Sequence, residues 1–137
     1  MQSGRPYATN YAIGIIIVMG FHMVFNSLSA LIYPEAYESD QYTSAFFQYL
    51  FVGASIWEFL LAAGLYVGSG IAHKLSVLSM FLIALLTCTN MVIGGRVGFD
   101  IWFQTALSFT VLIILLLPVV RRYYRNWSLG TLPSIHL

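Results

Sequence analysis

Four long stretches of this chain, Ala12–Ile32, Phe47–Val67, Leu75–Ile93 and Ile101–Val119, contain between them a single Lys, Arg, Asp or Glu, and that residue is Glu58. Each stretch is about 20 residues long, the length a helix rising 1.5 Å per residue needs to cross a hydrocarbon core about 30 Å thick. Lipid offers the backbone no hydrogen-bond partner, so each segment must satisfy its own N–H and C=O groups and is helical. A β-barrel would show alternating segments of about ten residues, and none is present. Composition agrees. Charged residues make up 8% and hydrophobic residues 59%, against about 25% and 45–50% in a soluble domain. So few charges cannot coat a water-facing surface. The expected fold is all-α, an integral membrane protein with residues 1–137 as one transmembrane domain.

The ends of the stretches carry breakers. Pro34 follows the first, Gly68-Ser69-Gly70 closes the second and Gly94-Gly95 the third. Asp100 stands at the N-cap expected for the fourth, and Pro118 lies near its end. The first stretch is too long for a signal peptide, lacks a small-x-small cleavage site and holds His22 and Asn26, so it is read as a retained span. The links Gly68–Lys74 and Gly94–Asp100 are short. Consecutive spans are then antiparallel neighbours in an up-down-up-down four-helix bundle. Arg5, Lys74, Arg121, Arg122 and Arg125 fall on one side and Arg96 alone on the other, which predicts that both termini are cytoplasmic. The longer link Tyr33–Phe46 lies outside, with Glu35, Glu38 and Asp40. Tyr7, Tyr11, Tyr123, Tyr124 and Trp127 form the expected inner aromatic belt. Arg121, Arg122 and Arg125 either touch anionic lipid heads or, the reading favoured here, serve only as topogenic anchors.

Ionisable groups inside a span are costly and default to the bundle interior. His22 and Glu58 sit near the midplane of spans one and two. Asn26 lies one turn outward from His22 on the same face. Asn90 and Thr87 occupy the outer half of span three, Gln104 and Ser108 that of span four, and Arg96 and Asp100 the outer rim. The stripes His22-Asn26-Ser29, Ser55-Glu58, Ser76-Ser79-Thr87-Asn90 and Gln104-Ser108 predict a polar pocket, closed at the midplane and open outward. Its ligand-contacting or proton-relaying residues are Glu58, His22, Asn26, Asn90, Gln104 and Arg96. Each also has a plain structural role open to it. Glu58 can be a buried polar contact, and His22 a satisfied interior histidine. The amides can be interhelical hydrogen-bond partners, and Arg96 an interfacial anchor paired with Asp100. Ala54, Ala62 and Gly64-x-x-x-Gly68 allow close helix approach.

Other chemistries lack their residues. Cys88 is the single cysteine, so there is no intrachain disulfide and no cysteine cluster. His73 and His136 fall far from His22, with no HxxxH or ExxH spacing, so no metal site is expected. No Ser-His-Asp arrangement, phosphate-binding glycine loop or haem-attachment run is present. A net charge of +1 gives no electrostatic case for nucleic acid. The chain is expected to hold no redox centre of its own.

The pattern of residues 12–95 resembles the DoxX-like family of small four-helix membrane proteins. Gly14-Ile-Ile-Ile-Val-Met-Gly20-Phe-His is similar to the family's first-helix opening, and Pro34-Glu-Ala-Tyr37 to its following link. The strongest part is Gly53-Ala-Ser-Ile-Trp-Glu58-Phe-Leu-Leu-Ala-Ala-Gly64-Leu-Tyr-Val-Gly68, which resembles the second helix, with its Gly, its Glu and its closing Gly. Ala72 to Met80 and on to Asn90 look like the third. The family often has a Lys shortly after the first-helix glycine; here His22 and Asn26 stand in that region. The resemblance implies a membrane subunit of a quinone-linked oxidoreductase, as some members are of the thiosulfate:quinone type. It also implies that Glu58 is the site residue and a prokaryotic plasma membrane the setting.

Three functions compete on this reading. The first is an accessory, non-catalytic subunit of a multi-subunit redox or electron-transfer complex, its outer pocket contacting a quinone or a lipid while other membrane subunits do the chemistry. The second is a purely structural or assembly subunit packed on larger membrane partners, with Trp57, Phe59, Phe81, Phe103 and Phe109 facing them or lipid. The third is a small oligomeric transporter.

Overall fold

The computed structural model describes residues 5–33, 45–93 and 98–128. They form α1 (Tyr7–Ile32), α2 (Ala45–Tyr66), α3 (Gly70–Ile93), α4 (Phe99–Leu116) and α5 (Pro118–Ser128), with no strand among the described residues. The expected all-helical fold is therefore present. Among the described residues, three helical segments, Tyr7–Ile32, Gln48–Tyr66 and Gly70–Ile93, are long and apolar enough to cross a membrane. A fourth is reached only if α4 and α5 are taken as one bent span.

The helix ends follow from local chemistry. Pro6 caps α1, where its missing N–H costs nothing. α2 closes on Gly68 at φ 84°, a left-handed conformation that glycine adopts without a Cβ penalty. There the Ser69 N–H donates to the Gly64 carbonyl (2.9 Å) and the Gly68 N–H to that of Leu65 (3.1 Å), a complete Schellman closure. Ser69 then starts the next helix, its Oγ accepting from the Ala72 N–H at 3.2 Å. α4 is capped by Gly98, so Asp100 lies inside its first turn and is not the N-cap the sequence predicts.

The fourth apolar stretch is also not one continuous helix to Val119. Pro118 has no N–H to give the Ile114 carbonyl, and its ring pushes the preceding residue out of the helical region. Leu117 accordingly sits at φ −54°, ψ 135°, and its own N–H turns back to Ile114 at 3.2 Å. The chain restarts with Pro118 in the first position of α5, bent 64° from α4.

α1 to α4 pack in ring order, most extensively α1 on α2 and α3 on α4. α5 folds onto α3 and α4. The shared core holds Ile16, Met19, Leu65, Met80, Val111, Leu115, Val120 and Tyr124. The opposite faces expose large apolar groups such as Phe25, Leu60, Ile71, Leu86 and Ile113, an apolar extent that belongs in lipid or against a partner.

Small residues set the helix spacing. A Cβ on Gly20 would meet the Phe59 ring at 3.0 Å, and one on Gly64 would lie 2.5 Å from the Ala72 Cβ. Ala72 is anchored next to the turn and cannot rotate away. Gly64→Ala is therefore expected to lower the unfolding midpoint in detergent by several degrees, in line with the about 1–3 kcal/mol typical of overpacking. Gly14→Ala, with nothing within 4 Å of its added Cβ, is expected to leave that midpoint unchanged. Circular-dichroism melts of both variants check the pair.

Candidate functional site

Ser55, Glu58, Leu61, Ala62 and Leu65 recur at helical spacing along α2 and are all buried. They define its inward face. Glu58 is 1% exposed, and neither of its carboxyl oxygens has a hydrogen-bond partner. Its two neighbours in sequence fix its level. The Trp57 Nε1–H donates to the Ser79 Oγ of α3 at 3.0 Å, while Phe59 meets Phe21 of α1 edge-on at 5.2 Å and covers Gly20. The carboxyl is thus held between one crosslink to α3 and one to α1.

His22 belongs to α1, two residues beyond Gly20. The Asn26 Nδ2–H donates to its Nε2 at 3.1 Å, so that nitrogen is the acceptor and the ring proton sits on Nδ1. The ring also packs edge-on against Phe103 of α4 at 5.0 Å. Gln104, next along α4, has its Oε1 buried without a hydrogen-bond partner. Two of the predicted residues, His22 and Asn26, are therefore brought together on α1, with the His22 ring against α4. Several members of the predicted stripes bond within their own helices. The Ser55 hydroxyl donates to the Val52 carbonyl, the Ser108 hydroxyl to that of Gln104, and the Thr87 hydroxyl to those of Ile83 and Ala84. Asn90 lies in α3, but its side chain falls outside the described residues, as do Arg96 and the 34–44 link.

Among the described residues, two of the clefts on the bundle stand out, and neither of these is lined by Glu58 or His22. One of about 250 Å³ lies between α1 and α4, along Tyr11, Gly14 and Val18. The other, of about 540 Å³, lies between the start of α3 and α5 and is lined by Gly70, His73, Lys74, Pro118, Arg121, Arg122, Tyr124 and Arg125. Its wall corrects the inner aromatic belt. Tyr124 is 1% exposed, its hydroxyl donates to the Leu65 carbonyl at 2.8 Å, and its ring stacks on His73 at 4.8 Å. The His73 Nε2–H donates to the Leu115 carbonyl at 3.0 Å. The signal for this was present in the sequence. Val120 and Tyr124 stand one turn apart beyond Pro118, on the face opposite the arginines.

Among the described residues no group of three or more His, Cys, Asp or Glu side chains is placed to hold a metal ion. Compared with known proteins, the chain matches no family model, no curated protein and no solved structure.

A buried carboxyl with no partner costs stability, about 1–3 kcal/mol on mutational scales. Glu58→Met, close in volume and able to keep the packing, is expected to raise the unfolding midpoint in detergent. A lowered midpoint would show that the carboxyl is bonded in the folded protein.

Proposed function

We propose that this chain is an accessory membrane subunit of a quinone-linked redox complex, with Glu58 as the group that meets a quinone or lipid-like head and exchanges its proton. The observation that carries this reading is the Glu58 carboxyl, enclosed by the bundle with both oxygens unpartnered. A group this costly in lipid is retained for what it binds or carries. Quinone reduction couples electrons to protons. A chain without a redox centre of its own contributes the proton side and a docking surface, and partner subunits contribute the electrons. His22, oriented by Asn26 and Phe103, supplies a second polar group at nearly the same depth. The DoxX-like pattern of residues 12–95 points the same way. The catalytic centre lies in other subunits.

The topology that goes with this function is four antiparallel spans, up-down-up-down, both termini cytoplasmic, in a prokaryotic plasma membrane. Supporting it, the Arg5 Nη1–H donates to the Tyr66 carbonyl at 2.9 Å, which brings the start of α1 to the end of α2. Lys74, Arg121, Arg122 and Arg125 line one cleft beside that turn. Five of the six basic residues therefore cluster at one end, as inside-positive charge requires.

A structural or assembly role is the second reading, favoured by one observation: neither cleft is lined by Glu58 or His22. An azido-quinone photolabel applied to native membranes separates the two. On the first reading the label enters the α2 segment around Glu58, is competed by unlabelled quinone, and falls at least several-fold in Glu58→Leu while the subunits still co-purify. Equal labelling of wild type and variant, or none, contradicts the redox reading and leaves the assembly role.

A further inference from the structure

The cleft between α3 and α5 has no part in the redox reading. Four cationic side chains, Lys74, Arg121, Arg122 and Arg125, line it, and no Asp or Glu does among the described residues. Like charges gathered on a surface repel, and an anion seated among Lys74, Arg121 and Arg122 relieves that repulsion. The clustering is also built rather than incidental. Pro118 bends α5 back by 64°, and the buried Val120 and Tyr124 clamp it against the bundle with Arg121, Arg122 and Arg125 outward. The wall is rigid, because the His73 Nε2–H is spent on the Leu115 carbonyl, the Tyr124 hydroxyl on that of Leu65, and the two rings stack.

A second element adds to the charge. α3 begins at the cleft with Gly70. The Ser69 hydroxyl accepts the Ala72 N–H and the Ser69 carbonyl the His73 N–H. The N–H groups of Gly70 and Ile71 have no carbonyl within the helix to serve them, and the positive end of the helix dipole lies there. Guanidinium forks, an ammonium and a helix N-terminus together are donors suited to tetrahedral phosphate oxygens.

We infer that this cleft is a phosphate-group site for the headgroup of an anionic membrane phospholipid. A volume of about 540 Å³ accommodates a phosphodiester headgroup with its glycerol. The exposed apolar residues beside it, Ile71 and Val119, supply the surface along which acyl chains run. Simple topogenic anchoring needs the same charges but no selectivity for phosphate, and so makes a different prediction.

The test uses the whole chain in mild detergent, with lipid retention read by native mass spectrometry. Phosphatidylglycerol is expected to bind at least ten-fold more tightly than phosphatidylcholine, with the advantage falling as salt rises. Each cation removed is expected to weaken binding about five-fold, from about 1 kcal/mol per basic residue near an anionic surface. Lys74→Gln and Arg122→Gln, singly and together, measure that loss. Arg5→Gln, which removes a basic group from the same end but not from the cleft, is expected to keep the lipid preference. Inorganic phosphate forms a separate arm. If millimolar phosphate displaces phosphatidylglycerol only weakly, the lipid is the source. If phosphate alone binds as tightly, the phosphate site stands but the lipid assignment is overturned. Equal retention of the two lipids, or retention unchanged in Lys74→Gln/Arg122→Gln, overturns the site altogether.

Discussion

Helices long and apolar enough to cross a membrane govern this molecule, because in such surroundings every helix end and every break must find its hydrogen-bond partners within the protein. The consequence is plainest at the basic end. Pro118 interrupts the fourth apolar stretch and leaves carbonyls of α4 without their usual donors. The Leu115 carbonyl is taken by His73 of α3. Across the bundle, the closing turn of α2 receives Tyr124 at the Leu65 carbonyl and Arg5 at the Tyr66 carbonyl. Three side chains from three separate parts of the chain thus bond carbonyls at helix ends, and in doing so they tie α1, α3 and α5 to α2 and α4. The His73 and Tyr124 ties hold the arginines of α5 beside Lys74.

Packing then depends on what is missing from the side chains. The bundle has no hydrophobic force to exploit between its helices, since lipid tails are as apolar as leucine. Close approach at Gly20 and at Gly64 does that work, letting Phe59 and Ala72 come up against a neighbouring backbone. The inward positions are marked less by apolarity than by small or hydroxylated residues: Thr9, Ser27, Ser55, Ser76, Thr105 and Ser108 are all buried.

How legible each part was in the sequence follows from the same physics. The helical segments could be read directly, because an uncharged run of membrane-crossing length must satisfy its backbone within itself and is therefore helical. Their faces could not. Inward residues such as Ile16 and outward ones such as Phe25 are equally apolar, so helical periodicity in hydrophobicity is nearly absent from α1 to α4. Glu58 stood out as the one Lys, Arg, Asp or Glu in the four apolar stretches, and its burial on the α2 inner face follows from the cost of exposing it to lipid. Tyr124 was misjudged as an ordinary interfacial residue, since a preference for the membrane surface and a hydrogen bond to a helix-end carbonyl call for the same residue type. The difference was set by the 64° bend at Pro118, whose angle no local pattern specifies. The Asp100 cap was displaced because Gly98 offered an earlier start.

The account rests on Glu58 being shielded from both water and lipid while its flanking positions are not. Spin labels at positions 56, 58 and 60, in a Cys88→Ser background and reconstituted in bilayers, report this through collisions with oxygen in the acyl region and with a water-soluble nickel complex. Position 58 should show low accessibility to both reagents and restricted motion, with high oxygen accessibility at 56 and 60, where Ile56 and Leu60 are exposed on the apolar face. Oxygen accessibility at position 58 equal to that at its neighbours would put the carboxyl in the acyl chains and contradict the account.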